Sequence, residues 1–141
     1  MRYLVDGDNL LGTWPGRRRD DEARRGLARE LDRLARRIGR HVVVVFDGAE
    51  PGGMALGPDV SFSGPGRTAD DRILAFLRKE TDPRGWTVVT SDRSLGDRCR
   101  HLGARAERSD RFRKRLSSVA GREKPEREDD VSFWLETFGG D

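Results

Sequence analysis

The chain is short of several things that would settle its chemistry early. Among its 141 residues there is one cysteine, Cys99, so no internal disulfide can form. There are two histidines, His41 and His101, and neither has Cys or His neighbours at zinc-site spacing, which argues against a zinc centre. No apolar run approaches the roughly 20 residues of a membrane span. The N-terminus lacks the charged and apolar regions of a secretion signal and goes straight into a strand. There is no internal repeat. These absences lead us to expect a soluble cytoplasmic protein that makes no use of a membrane. Strong net charge is missing too: 28 basic and 25 acidic residues leave only +3.

What is present is unevenly placed. The stretches 17–40 and 108–127 are rich in Arg, whereas the informative acids lie elsewhere. Basic faces around an acidic centre suit a polyanion held near cations. At 34% hydrophobic residues the core is modest, but the apolar residues are clustered. The length suits one domain.

Short unbroken apolar runs alternate with helical patterns. Tyr3–Val5, His41–Phe46, Val60–Phe62, Trp86–Val89 and Ala104–Ala106 read as strands. A turn is expected over Asp6–Gly12, with Gly7 permitting it. Leu27, Leu31, Leu34, Ala35 and Ile38 recur at helical spacing after a cap at Asp20 or Asp21, and Gly39 ends that helix. Thr68-Ala-Asp-Asp71 opens another with a capping-box pattern. Helices are also expected over Ser94–Leu102 and Asp110–Val119. Residues 121–128 form a polar linker. Val131, Trp134, Leu135 and Phe138 then make a last helical stripe, behind Asp129 and Asp130. We read residues 1–120 as one domain and 121–141 as linker and C-terminal helix packing back on it, or docking on a partner. The alternation implies an α/β fold with a parallel sheet, whose ligands gather beyond the carboxyl ends of the strands.

Asp6, Asp47 and Asp92 each follow a strand, and Asp70 and Asp71 start a helix on the same rim. Carboxylates a few Å apart repel by several kcal/mol at an effective dielectric of about 20. A fold keeps such a cluster when a cation neutralises it. Oxygen ligands without His or Cys point to Mg²⁺ or Mn²⁺. Such an ion meets phosphates and activates water for attack on phosphorus. Each acid also has a plainer role open to it: turn residues for Asp6, Asp8 and Asp47, helix caps for Thr68, Asp71 and Asp92. Asn9 can orient a water or fix the backbone near Asp6, and Ser91 can bond a phosphate or a neighbouring acid.

The motifs Val5-Asp-Gly-Asp-Asn9, Val45-Phe-Asp-Gly48, Thr68-Ala-Asp-Asp71 and Thr90-Ser-Asp92, in that order, resemble the NYN domain. The likeness is greatest to its YacP-like branch, among the PIN-like nucleases, and runs to about Leu102. It implies a three-layer α/β/α fold with sheet order 3-2-1-4-5. It also implies Mg²⁺- or Mn²⁺-dependent endoribonuclease activity on single-stranded RNA, in some cases mRNA on the ribosome. Carried over by position, the metal ligands and catalytic acids are Asp6, Asp70 or Asp71, and Asp92, with Asp47 beside them. Asn9 matches the family's asparagine, and Asp8, Asn9, Thr68 and Ser91 support the ligands. Asp8 departs from the pattern, where YacP-like members often carry Tyr; the substrate is open on that account.

Arg67 and Arg93 flank the acidic motifs, and Arg17 to Arg19 follow the first turn, so these are the candidate phosphate contacts. Arg111, Arg113, Lys114 and Arg115 are more distant ones. Trp14 can stack on a base or pack inward. Two other functions stay open: an RNA-binding module of this fold without catalysis, and a small-molecule phosphatase built on Asp6-Gly-Asp8. Leu10 stands where the phosphatase pattern needs Thr or Val, which disfavours the latter. Oligomeric state is open, a homodimer included.

Overall fold

The computed structural model describes residues 1–16, 20–51, 59–120 and 137–138. Five parallel strands, β1 (Arg2–Asp6), β2 (Val42–Phe46), β3 (Val60–Phe62), β4 (Trp86–Val89) and β5 (Arg105–Glu107), form one sheet in the order β3-β2-β1-β4-β5. The expected fold class and sheet order are therefore observed. Helices α1 (Gly7–Leu11), α2 (Asp21–Ile38), α3 (Ala69–Lys79), α4 (Arg93–His101) and α5 (Ser109–Ala120) cover both faces.

Strand alternation sorts the core into two layers. Tyr3, Val5, Val42, Val44 and Phe46 meet Leu27, Leu31 and Leu34 of α2 and Phe112, Leu116 and Val119 of α5. Leu4, Val43, Val45 and Val88 face the other way, onto Ile73, Leu74 and Leu77 of α3 and Leu95 and Cys99 of α4. Every residue of β2 is buried, as an unbroken apolar strand with helices on both sides requires. Asp20 caps α2 by accepting from Ala23 N at 2.9 Å, and Gly39 ends it with φ +64°. Thr68 and Asp71 complete the expected capping box at the start of α3.

One local expectation fails. Residues 7–11 form a short α-helix and not a tight turn. The physical reason is burial: Leu10 and Leu11 are wholly enclosed, and a turn of helix brings both onto α2 and α5. Nor is Gly7 there for a left-handed backbone. A Cβ at residue 7 would lie 2.6 Å from Phe46 Cδ1 and 2.9 Å from Val44 Cγ2, so only glycine lets α1 sit this close to β2. Smaller differences are one-residue shifts, with α4 and β5 starting at Arg93 and Arg105.

Phe138 is buried, edge-on to Phe112 at 5.6 Å and to Tyr3 at 6.4 Å between ring centres. Tyr3 Oη donates to its carbonyl at 3.2 Å, and Arg115 Nη1 donates to Thr137 O at 2.6 Å. The linker 121–128 and the stripe residues Val131, Trp134 and Leu135 lie outside the described residues, as do Asp129 and Asp130. No helix among the described residues is long and apolar enough to cross a membrane.

Candidate active site

β1 is the central strand, with the chain leaving towards β2 and β3 on one side and β4 and β5 on the other. The crevice beyond the carboxyl end of β1 is thus the switch point where α/β sheets place ligands. Asp6 is the last residue of β1 and is only 5% exposed. Thr90 Oγ1, just past β4, donates to Asp6 Oδ2 at 2.9 Å. Burial pushes the Asp6 carboxyl up to about 7; the Thr90 bond pulls it down, and repulsion from Asp70, Asp47 and Asp8 adds to the rise.

Asp70, in the first turn of α3, is also raised, first by burial and then by Asp92, Asp47 and Asp71, with Arg98 opposing. The acids read from separate motifs therefore share one electrostatic neighbourhood at the carboxyl ends of β1, β2 and β4. They differ in what else they hold. Asp47 Oδ1 accepts from Ala69 N at 2.6 Å and so fastens the start of α3 to the end of β2. Asp92 caps α4, accepting from Leu95 N at 3.2 Å. Asp71 is exposed and occupied in the capping box, where its amide donates to Thr68 Oγ1 at 3.2 Å. Thr68 acts as that cap, and no bond joins it to another acid of the rim among the described residues.

Asp8 is not a free acid of the rim. It is 6% exposed and takes both oxygens to Arg24 of α2, at 2.9 Å from Nε and 2.8 Å from Nη2. Its Oδ2 also accepts from Asp47 N at 3.0 Å, and Arg24 Nη2 donates to Asp47 O at 3.3 Å. The pair grips both backbone groups of Asp47, and the Arg24 guanidinium lies 5.5 Å from the Phe46 ring centre. The extra negative charge expected at position 8 is consequently neutralised in place. Asn9 fixes backbone, but next to Asp92 and not next to Asp6: its Oδ1 accepts from Ser91 N at 2.9 Å and from Ser109 Oγ at 2.6 Å. Ser91 Oγ in turn accepts from Ser109 N at 3.1 Å, so the hydroxyl that bonds an acid of the rim is that of Thr90 and not that of Ser91.

Arg67 and Arg93 are exposed beside the rim, whereas Arg17 and Arg18, with Arg19, lie outside the described residues. Trp14 is half-buried against the core. Arg115 is turned inward to Glu107 at 2.7 Å and to the Phe138 ring at 4.8 Å, which removes it from the surface candidates. Sequence reasoning missed Arg24, Ser109 and the Thr90 hydroxyl as partners of the rim. Thr90 carried a signal, two residues before Asp92. Arg24 is one Arg of many in its helix, and nothing local marks it.

The sequence from residue 3 to residue 132 matches the YacP-like NYN domain. The chain belongs to that family. YacP-like NYN domains are PIN-like nucleases. Among solved structures the chain is similar to Rae1 (YacP) from Bacillus subtilis. In its W164L mutant the identity is 24% and the TM-score 0.68, over 98% of this chain and 92% of that one. A second Rae1 structure gives 23% and 0.68, over 86% and 76%. At that identity the likeness establishes the fold. No curated protein matches the chain.

For a YacP-like domain the open question is the cation. Among the described residues no three acid, imidazole or thiol groups stand together as a ready-made metal cage. The donor chemistry nonetheless fits a hard divalent ion: the acids are all carboxylates, repulsion from their neighbours adds to the rise at Asp6 and Asp70, and no Lys or Arg pairs with either among the described residues.

Proposed function

We propose that this chain is a divalent-metal-dependent endoribonuclease that hydrolyses phosphodiester bonds at the carboxyl end of β1. The observation that carries the proposal is Asp6, a carboxyl buried at the sheet's switch point, raised to about 7 and repelled by Asp70 and Asp47. An arrangement that is unfavourable alone becomes favourable with a cation among the acids. Asp6, Asp70 and Asp92 would hold Mg²⁺ or Mn²⁺, with Asp47 beside them. Such an ion supplies positive charge for the phosphate and lowers the pKa of an attacking water.

The chain's own residues set the stage for that chemistry. Thr90 holds one oxygen of Asp6 and fixes its rotamer. Asp8 and Arg24 hold the backbone of Asp47, which holds the start of α3 and thereby places Asp70. Asn9 and Ser109 hold the Ser91 backbone and thereby the approach to Asp92. Exposed Arg67 and Arg93 are suited to phosphates on either side of the acids.

Purified protein with Mn²⁺ or Mg²⁺ is expected to cleave single-stranded RNA internally, and Asp6→Asn to abolish cleavage without loss of fold. Full activity in EDTA, or in Asp6→Asn, rules the mechanism out. One observation favours a second reading, an RNA-binding module without catalysis: Asp47 and Asp92 each have an oxygen on a backbone amide, and no cage is preformed among the described residues. RNA binding unchanged by EDTA, with no cleavage, distinguishes it.

A further inference from the structure

Beside the acids lies a cleft of about 420 Å³, between the start of α4 and the edge strand β5. The size is that of a small-ligand site, for which about 300–1,000 Å³ is usual. Thr90, Ser91 and Asp92 lie at the end nearest Asp6, and Arg93, Arg100 and Arg108 line the cleft together with the acids Asp97 and Glu107. Gly96 of α4 contributes no side chain, and a Cβ there would come within 3.7 Å of both the Arg100 guanidinium and Ala106. A second hollow of about 440 Å³ shares Ala106, Glu107 and Arg108 with the cleft and is lined besides by Tyr3, Arg105 and Arg111.

We propose that this cleft is the path of the RNA strand leaving the acids, with Arg93, Arg100 and Arg108 taking its backbone phosphates and Arg105 and Arg111 the continuation. The inference rests on the RNA reading above and extends it to a defined surface. Charge is the first reason: the acids repel phosphate, so the attraction that brings a polyanion to them has to come from cations alongside. Availability is the second. Arg93, Arg105 and Arg111 are exposed and have no ion pair among the described residues. Arg100 pairs with Asp97 at 2.9 Å and Arg108 with Asp110 at 3.2 Å, in bridges open to solvent on both sides. Exposed bridges of this kind are weak and exchange readily for a phosphate. The acid at the floor, Glu107, is already neutralised by Arg115 at 2.7 Å.

The test uses the full chain in EDTA, so that binding is read without cleavage. The probe is a fluorescein-labelled oligouridylate of about 12 nucleotides, a common single-strand site size, followed by anisotropy over a salt series. The double variant Arg100→Ala, Arg108→Ala is expected to lose on the order of tenfold in affinity. Its slope of log K against log salt should fall by about 0.7 per lost phosphate contact. Arg36→Ala, at the far end of α2 from the acids, should bind as wild type, and all three proteins should melt alike. A double variant matching wild type in affinity and slope overturns the proposal, and so does a wild-type chain that fails to bind the strand. Cleavage with Mn²⁺ is scored separately. A chain that binds through the cleft and cuts nothing keeps the cleft and loses the nuclease, and one that cuts while the double variant binds normally does the reverse.

Discussion

Replacing Asp6 by Asn removes a charge and almost no volume, so it isolates what that charge does. The carboxyl rises from 3.8 to about 7, first through burial. At 1.36 kcal/mol per pKa unit this is on the order of 4 kcal/mol against the ionised form. Relaxation and water entry reduce it, and about 2 kcal/mol is a fair expectation. The sign follows from linkage. Between pH 3.8 and about 7 the folded chain keeps a proton on Asp6 that the unfolded chain has released. Stability therefore falls as pH rises through that window. The amide introduced by Asp6→Asn does not titrate, so in EDTA the variant should match wild type only below pH 3.8, exceed it by about a third of the full difference at pH 5, and exceed it by the whole difference at pH 8. For a chain of this size about 2 kcal/mol is roughly 6–10 °C in Tm. Mn²⁺ should invert the order at pH 8, because a cation stabilises only the form with the carboxylate intact, and its affinity should grow with pH as the proton is displaced. Circular-dichroism melts of both proteins at pH 5 and pH 8, with EDTA and with Mn²⁺, give the eight values needed. A wild-type-minus-variant difference independent of pH in EDTA would refute the view that Asp6 is a strained buried acid. A Mn²⁺ gain equal in both proteins would refute its part in holding the ion.

Three further outcomes follow from particular contacts. Arg24→Ala leaves Asp8 buried without a counter-charge, with only the Asp47 amide to bond it, which should cost about 3–5 kcal/mol in chemical denaturation, and Asp8→Asn in the same chain should recover part of it. Gly7→Ala forces a Cβ against Phe46 and Val44 and should destabilise by about 1–3 kcal/mol, visible as a lower urea midpoint with an unchanged m-value. Thr90→Val removes the bond that lowers the Asp6 pKa. The acid limb of the cleavage pH profile should then move to higher pH, with the deficit largest below neutrality and shrinking at alkaline pH; an unmoved limb counts against Asp6 being the titrating group.

The fold was legible because its signals are local and repeat. The run Val42–Phe46 is apolar on both faces, which only a central strand of a doubly covered sheet explains, and the capping box at Thr68 and Asp71 is complete within four residues. Around the acids legibility stops where the chemistry depends on partners far apart in the chain. The sequence shows Asp6-Gly-Asp8 as two similar acids on either side of a glycine. The fold sends one to Thr90, 84 residues away, and the other to Arg24. Their environments are then opposite: Asp6 has a hydroxyl, neighbouring carboxylates and no cation among the described residues, whereas Asp8 has a two-point guanidinium. The same asymmetry explains why Gly7 misled. Its spacing between acids suggests turn chemistry, but its constraint is the side chain of Phe46 on the adjacent strand, and a contact of that kind has no trace in the local pattern. In this chain a substitution at position 8 is therefore best understood together with position 24: the Asp8–Arg24 pair holds the Asp47 backbone, and through Asp47 the first turn of α3. A chain with an uncharged residue at position 8 would leave Arg24 only the longer pair to Asp21, at 3.7 Å, and would need another way to hold that backbone.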